Sequence, residues 1–284
     1  MENDGLKYIE YGKENNEVIM MLHGGGLSWW NYRKEAELLC DEYHIILPVI
    51  DGHAGSGSEF ESIETVANKL IEYIEDNFDG KIKVLCGLSL GAQIAVEILS
   101  QANSICDYAL IESVSLVPSK IAEILIGPAF SMSYGLIKKK WFSQLQFKSL
   151  HIDKSFYEEY YRDTCLITRK DMIAFLKANT RYSLCNSIKN SKAIIKVIVG
   201  GKEQSNMIKS AKQISEVIPN AILAVKSDLY HGEFSLNKPD EYVKELKELI
   251  TWEFLFSETD KLEVNGENVD EKNSKNRYNH NYVR

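Results

Sequence analysis

Among the side chains able to do chemistry, Ser89 stands in the most demanding setting. Residues 81–101 read KIKVLCGLSLGAQIAVEILSQ, an apolar segment that passes through Gly87-Leu88-Ser89-Leu90-Gly91 into an apolar-faced helix. The G-x-S-x-G pattern between strand and helix holds a serine at the apex of a sharp, strained turn, the setting of a serine nucleophile. Gly87 and Gly91 omit the side chains that would collide there, and Ala92 is small as well. The hydroxyl then projects above a sheet edge at a helix N-terminus, whose dipole favours developing negative charge. A second glycine string, His23-Gly24-Gly25-Gly26, follows the apolar run EVIMML at residues 17–22 and precedes an aromatic cluster of Trp29, Trp30 and Tyr32.

The elements that must position these residues alternate. Residues 6–11 read as an edge strand, 17–22 and 44–50 (HIILPVI) as buried strands, and 33–40 as a helix. Ile63, Val66, Ala67, Leu70, Ile71 and Ile74 fall on one face of a helix over 62–77. After the Ser89 strand and helix comes another apolar strand, DYALIESV at 107–114. Strand–helix alternation then stops from 115 to about 190, a stretch rich in aromatics that carries Lys138-Lys139-Lys140. It resumes with AIIKVIVG at 193–200, a helix over 207–218, a strand at 221–226, and a closing helix with Pro239 near its first turn. Strands alternating with helices imply an α/β fold with a mostly parallel sheet covered on both faces. In such sheets ligands sit outside the carboxyl ends of the strands, where HGGG, DGHAGSG, GLSLG and the segment after VIVG all fall.

Composition narrows the function classes. The chain has 284 residues, 44% hydrophobic and 26% charged, as expected of one large domain or one domain with an insertion. A net charge of −8 argues against nucleic acid as a partner. The five cysteines form no C-x-x-C pair and no metal spacing, and their odd number suits reduced thiols in a cytoplasmic protein. The polar N-terminus does not resemble a signal peptide, and no apolar run is long enough to span a bilayer. The Lys138–Phe142 run reads as a solvated face, and no stable membrane association is expected.

With HGGG at 23–26, GLSLG at 87–91 and a late histidine, residues 6–255 resemble the α/β-hydrolase fold superfamily. The resemblance implies a core of 1–114 and 191–256 with a largely helical cap inserted at 115–190, and the stretch 257–284, rich in Asn and charge without apolar periodicity, reads as a disordered tail. The resemblance implies no cofactor and no metal. It also implies the order nucleophile, acid, histidine. Of the six histidines, only His231 and His280 follow the last two sheet strands, and His280 lies in the tail. His231 is thus the candidate base, while His23 and His53 are expected to support their loops. The resemblance places the acid after the strand preceding the last one, where Glu203 stands; Glu112 and Asp228 remain as alternatives. An oxyanion hole needs two converging backbone N–H groups, expected from Leu90 and Gly25.

A serine nucleophile separates the chain from the dehalogenase and epoxide hydrolase branches, which use aspartate. Proline iminopeptidases usually carry a proline in the glycine loop and a tryptophan in the elbow, both absent here. The hormone-sensitive-lipase type usually has an acidic residue before the serine, where this chain has Leu88. The reading that remains is a serine hydrolase cleaving a small or medium carboxylic ester through an acyl-enzyme. A carbon–carbon bond hydrolase, an acyltransferase or an aminopeptidase would use the same residues. A non-catalytic ligand-binding protein would not need Ser89 and His231. The sequence leaves the oligomeric state open.

Overall fold

The computed structural model describes residues 5–218 and 221–264. Seven strands form one sheet in the order β1-β3-β2-β4-β5-β6-β7. They are β1 (Lys7–Tyr11), β2 (Val18–Leu22), β3 (His44–Val49), β4 (Ile82–Leu88), β5 (Cys106–Glu112), β6 (Ile194–Gly200) and β7 (Ile222–Lys226). Only β1, at the edge, runs antiparallel, against β3; every other pairing is parallel.

The period-two alternation of strand residues feeds two cores. Met20, Ile46, Leu85, Ala109 and Val197 point to one face, where α2 (Ile63–Asn77), α3 (Leu90–Gln101) and α8 (Ser205–Val217) cover them. Their neighbours Ile19, Ile45, Val84, Leu110 and Ile198 point to the other, under α1 (Arg33–Leu39), α9 (Glu233–Asn237) and α10 (Pro239–Val264). Being buried on both faces, β2 and β3 read as unbroken apolar runs in the sequence. The helix over 62–77 forms as its spacing predicts, and the Ser62 hydroxyl caps it by accepting from the Thr65 N–H at 3.0 Å.

Between β5 and β6 the chain forms α4 (Lys120–Ile137), α5 (Lys140–Ser149), α6 (Tyr157–Leu166) and α7 (Arg169–Arg181). Polar bonds fasten this segment to the core. Gln93 of α3 donates to the carbonyls of Ser115 and Asn179 at 2.6 and 2.9 Å. The Trp30 indole donates to Asp163 at 2.8 Å, and the Phe60 N–H to Asp171 at 2.9 Å. Its helices were not separable in the sequence, because α4 lacks a polar face to mark its period. At the other end α10 stays helical to Val264, past residue 256 where the sequence expectation ends the core. The rest of the expected tail, 265–284, lies outside the described residues.

The register brings the carboxyl ends level. Leu22 pairs with Gly87, Leu88 with Glu112, Glu112 with Ile198, and Gly200 with Lys226. His23, Ser89, Ser113 and Gly201, each one residue beyond its strand, therefore lie along one edge of the sheet.

Candidate active site

Ser89 joins β4 to α3 with φ +53° and ψ −107°, outside the usual regions for a residue with a side chain. The surroundings hold it there. Its N–H donates to the Glu112 carbonyl and its own carbonyl accepts from the Gln93 N–H, both at 3.0 Å. The chain passes so tightly that a Cβ on Gly87 would lie 2.4 Å from the Gly91 carbonyl oxygen, and one on Gly91 2.1 Å from that of Leu22. Both glycines are required by close approach rather than by dihedral angle.

The Ser89 hydroxyl lies 3.0 Å from His231 Nε2, and His231 Nδ1 lies 2.7 Å from Glu203 Oε2. Nδ1–H donating to the carboxylate leaves Nε2 free to accept from the serine, which fixes the tautomer. The Glu203 side chain is fully covered, whereas that of His231 is 43% exposed. Glu203 follows β6 and His231 follows β7, so residues 142 positions apart meet through the sheet order rather than through sequence proximity.

Of the three acidic candidates, Glu203 is the one that reaches His231. Glu112 is buried at the end of β5, where its carboxylate accepts from the Ser235 N–H at 3.2 Å. Burial pushes its pKa up to about 7, nearby Glu203 pushes the same way, and the Ser235 contacts oppose them. Asp228 sits at the surface beside its neighbour Ser227.

One contributor escaped the sequence reading. Ser113, at φ +54°, donates its hydroxyl to Glu203 Oε1 at 2.8 Å and accepts from the Gly232 N–H at 3.2 Å. Together with the Gly200 N–H, at 2.7 Å from the same oxygen, it orients the carboxylate and ties it to the loop that carries His231. Nothing in the string IESV marks this serine; only the adjacency of β5 and β6 brings it to Glu203.

The glycine string forms a turn in which the Leu27 N–H returns to the Gly24 carbonyl at 3.1 Å, with Gly26 at φ +78°. Two buried histidines lock it. His23 donates from Nδ1 to the Gly24 carbonyl at 2.9 Å and accepts the Ile50 N–H at Nε2 at 3.1 Å. His53 accepts the Gly26 N–H at Nε2 at 3.0 Å and donates from Nδ1 to the Asp51 carbonyl at 3.2 Å. Both act as neutral imidazoles, since burial lowers the pKa of His23 well below the usual value and that of His53 to about 4. The Gly24 N–H is taken by Asn31 Oδ1. Among the described residues, the Gly25 N–H has no acceptor, and the Leu90 side chain lies beside Gly25.

These groups open into a cavity of about 200 Å³ lined by Gly24 to Leu27, Leu88, Ser89, His231 and Gly232 on the core side. The facing wall comes from the inserted helices: Phe130 and Ile137 of α4, Gln146 of α5, Tyr160 and Thr164 of α6, and Met172, Phe175 and Leu176 of α7. Its surface is mostly apolar, with Ser89 and His231 as polar anchors at the base. No group of His, Cys, Asp and Glu that could hold a metal ion occurs among the described residues.

Comparison with known proteins agrees with this architecture. No curated protein matches the chain significantly in sequence. Among solved structures, it resembles a thermophilic esterase from Thermogutta terrifontis at 17% identity and TM-score 0.70, covering 86% of this chain and 92% of that one. It resembles the enol-lactonase from Burkholderia xenovorans LB400 at 12% identity and TM-score 0.71, covering 87% and 96%. It also resembles a bromoperoxidase from Bacillus anthracis at 16% identity and TM-score 0.72, covering 87% and 95%. At such identities the likeness is one of fold, and the differing activities leave the substrate open. The profile of the Alpha/beta hydrolase family matches residues 19–192, more than half of the chain and across both glycine strings, and the chain belongs to that family.

Proposed function

We propose that the protein is a serine hydrolase cleaving a small or medium carboxylic ester through an acyl-enzyme intermediate. The observation that carries the reading is the hydrogen-bonded line from Ser89 through His231 to the covered Glu203, opening on an apolar cavity. In this reading Ser89 Oγ attacks the ester carbonyl carbon as its proton passes to His231 Nε2. Glu203 holds the ring in place and stabilises the imidazolium that forms. The N–H groups of Leu90 and Gly25 receive the oxyanion of the tetrahedral intermediate, at the N-terminus of α3. Collapse expels the alcohol, which takes the proton from His231 Nε2 and leaves Ser89 acylated. A water molecule then gives its proton to the same nitrogen and attacks the acyl carbon. Release of the acid returns the proton to Ser89.

The helices over 115–190 act as a cap that selects the acyl group, since they supply the apolar wall facing Ser89. Because hydrophobic pockets discriminate by about 1 kcal/mol per methylene, selectivity is graded rather than absolute. The five unpaired cysteines suit a reducing compartment. A series of p-nitrophenyl esters of increasing chain length, run beside aminoacyl amides, tests the reading. It predicts a stoichiometric burst of p-nitrophenol with the esters, and a chain length at which turnover peaks. Turnover of the amides alone would move the reading to an aminopeptidase.

A further inference from the structure

The inserted helices turn a second apolar surface outward. On α4 the outward positions recur at helical spacing, and Ile121, Ile124, Leu125 and Leu136 occupy them, the first two 76% and 71% exposed. From 124 to 137 this surface helix carries no charged residue. A helix apolar on both faces is ordinarily buried on both. Across the following turn α5 adds Trp141, 63% exposed, and Leu145, 62% exposed. Isolated exposed apolar residues are common, but six large ones within 25 residues on two consecutive helices mark an interaction surface.

Charge separates the possible occupants. The chain carries −8 overall, yet residues 117–150 hold Lys120, Lys138, Lys139, Lys140 and Lys148 against one acid, Glu123. That acid is paired with Arg181 at 2.7 Å. A second copy docked by the same face around a two-fold axis would set these lysines against their counterparts. The segment 265–284 offers only Val269, Tyr278, Tyr282 and Val283 as apolar or aromatic residues, too few for a continuous apolar face. An apolar strip flanked by lysines, with a tryptophan beside them, matches instead a lipid surface with anionic headgroups: apolar side chains enter the acyl boundary while lysines and indole stay at headgroup level.

We propose that the outer face of α4 and α5 docks the protein reversibly on anionic membrane surfaces. This departs from the solvated face expected of the Lys138–Phe142 run, which considered five residues without the apolar strip of α4 beside them. No helix among the described residues is long and apolar enough to cross a membrane, so docking is interfacial. The inference is independent of whether Ser89 is a nucleophile.

Co-sedimentation of the full chain with phosphatidylglycerol–phosphatidylcholine vesicles, and with phosphatidylcholine alone, tests it. Binding is expected to the anionic vesicles and to fall with added salt. Replacing Lys138, Lys139 and Lys140 together by alanine should weaken it about 100-fold, at several-fold per lysine. Ile121→Glu with Ile124→Glu should weaken it at least ~10-fold, with melting temperature and turnover of a short ester unchanged. Tryptophan quenching by brominated phosphatidylglycerol, lost in Trp141→Phe, reads the same contact without altering charge. Absence of vesicle binding, or binding that both sets of substitutions leave intact, would overturn the proposal. So would a dimer in sedimentation equilibrium that Ile124→Glu dissociates, which would assign the face to a second copy.

Discussion

Glu203 and Glu112 stand on neighbouring strands, and the geometry gives them different work. Glu203 meets His231 Nδ1 and is itself held by Ser113 and Gly200. Glu203→Gln should lower kcat by roughly 10³–10⁴ with little change in KM, the size of effect seen when a triad acid is neutralised. Glu112→Gln should change kcat far less, and a pre-steady-state comparison of the two variants decides between them. Glu112 should show itself in stability instead. Its folded pKa, near 7, lies above the unfolded value, so the native state binds the extra proton between about pH 4.5 and 7. Its contribution is full below that window and lost as pH rises through it, by about 3 kcal/mol. Denaturant unfolding should therefore show wild type losing ground to Glu112→Gln as pH rises from 4 to 8. Ser113→Ala, which frees both Glu203 and the Gly232 N–H, should cost about tenfold in kcat.

The turn between β4 and α3 trades stability for an exposed hydroxyl. Ser89 holds φ +53°, a conformation that costs a residue with a Cβ of the order of 1–3 kcal/mol. Ser89→Gly should accordingly unfold at higher denaturant than Ser89→Ala, by about 1 kcal/mol, both variants being inactive. This element was legible in the sequence because its glycines recur at fixed offsets between a strand and a helix. The glycine loop was legible in position and in its support by His23, but the reach of His53 across to Gly26 was not, because only the fold brings the two loops together. His23 and His53 hold it as neutral rings, and the bond from the Gly26 N–H depends on an unprotonated Nε2. His53 has a folded pKa near 4, below the unfolded value, so the unfolded chain binds the extra proton between about pH 4 and 6.5. Stability from this residue is present above that window and lost as pH falls through it, by about 3 kcal/mol. His53 thus opposes Glu112 in the overall profile. Wild type should lose stability relative to His53→Gln on acidification, and unfolding curves at pH 7.5 and 4.5 measure the difference.

At the scale of the whole chain, sheet order does what local sequence cannot. Ser89 announces itself by its neighbours and His231 by its place after the last strand, but the adjacency of Ser113 to Glu203 exists only because β5 pairs with β6. The parallel sheet was readable because its inner strands are buried on both faces and are predominantly apolar. The inserted helices were not, because α4 is apolar inside and out and gives no period to read. These helices close the cavity with Phe130, Ile137, Met172 and Phe175, so enlarging that wall should lengthen the preferred acyl chain. Met172→Ala is expected to move the optimum in the ester series to longer chains, by less than about fivefold per added methylene. The proposed ester hydrolysis rests on Ser89 becoming covalently acylated. A fluorophosphonate probe followed by mass analysis of the labelled peptide tests that directly: the adduct is predicted on Ser89 in wild type and absent in Ser89→Ala, and equal labelling of the two proteins would contradict the account.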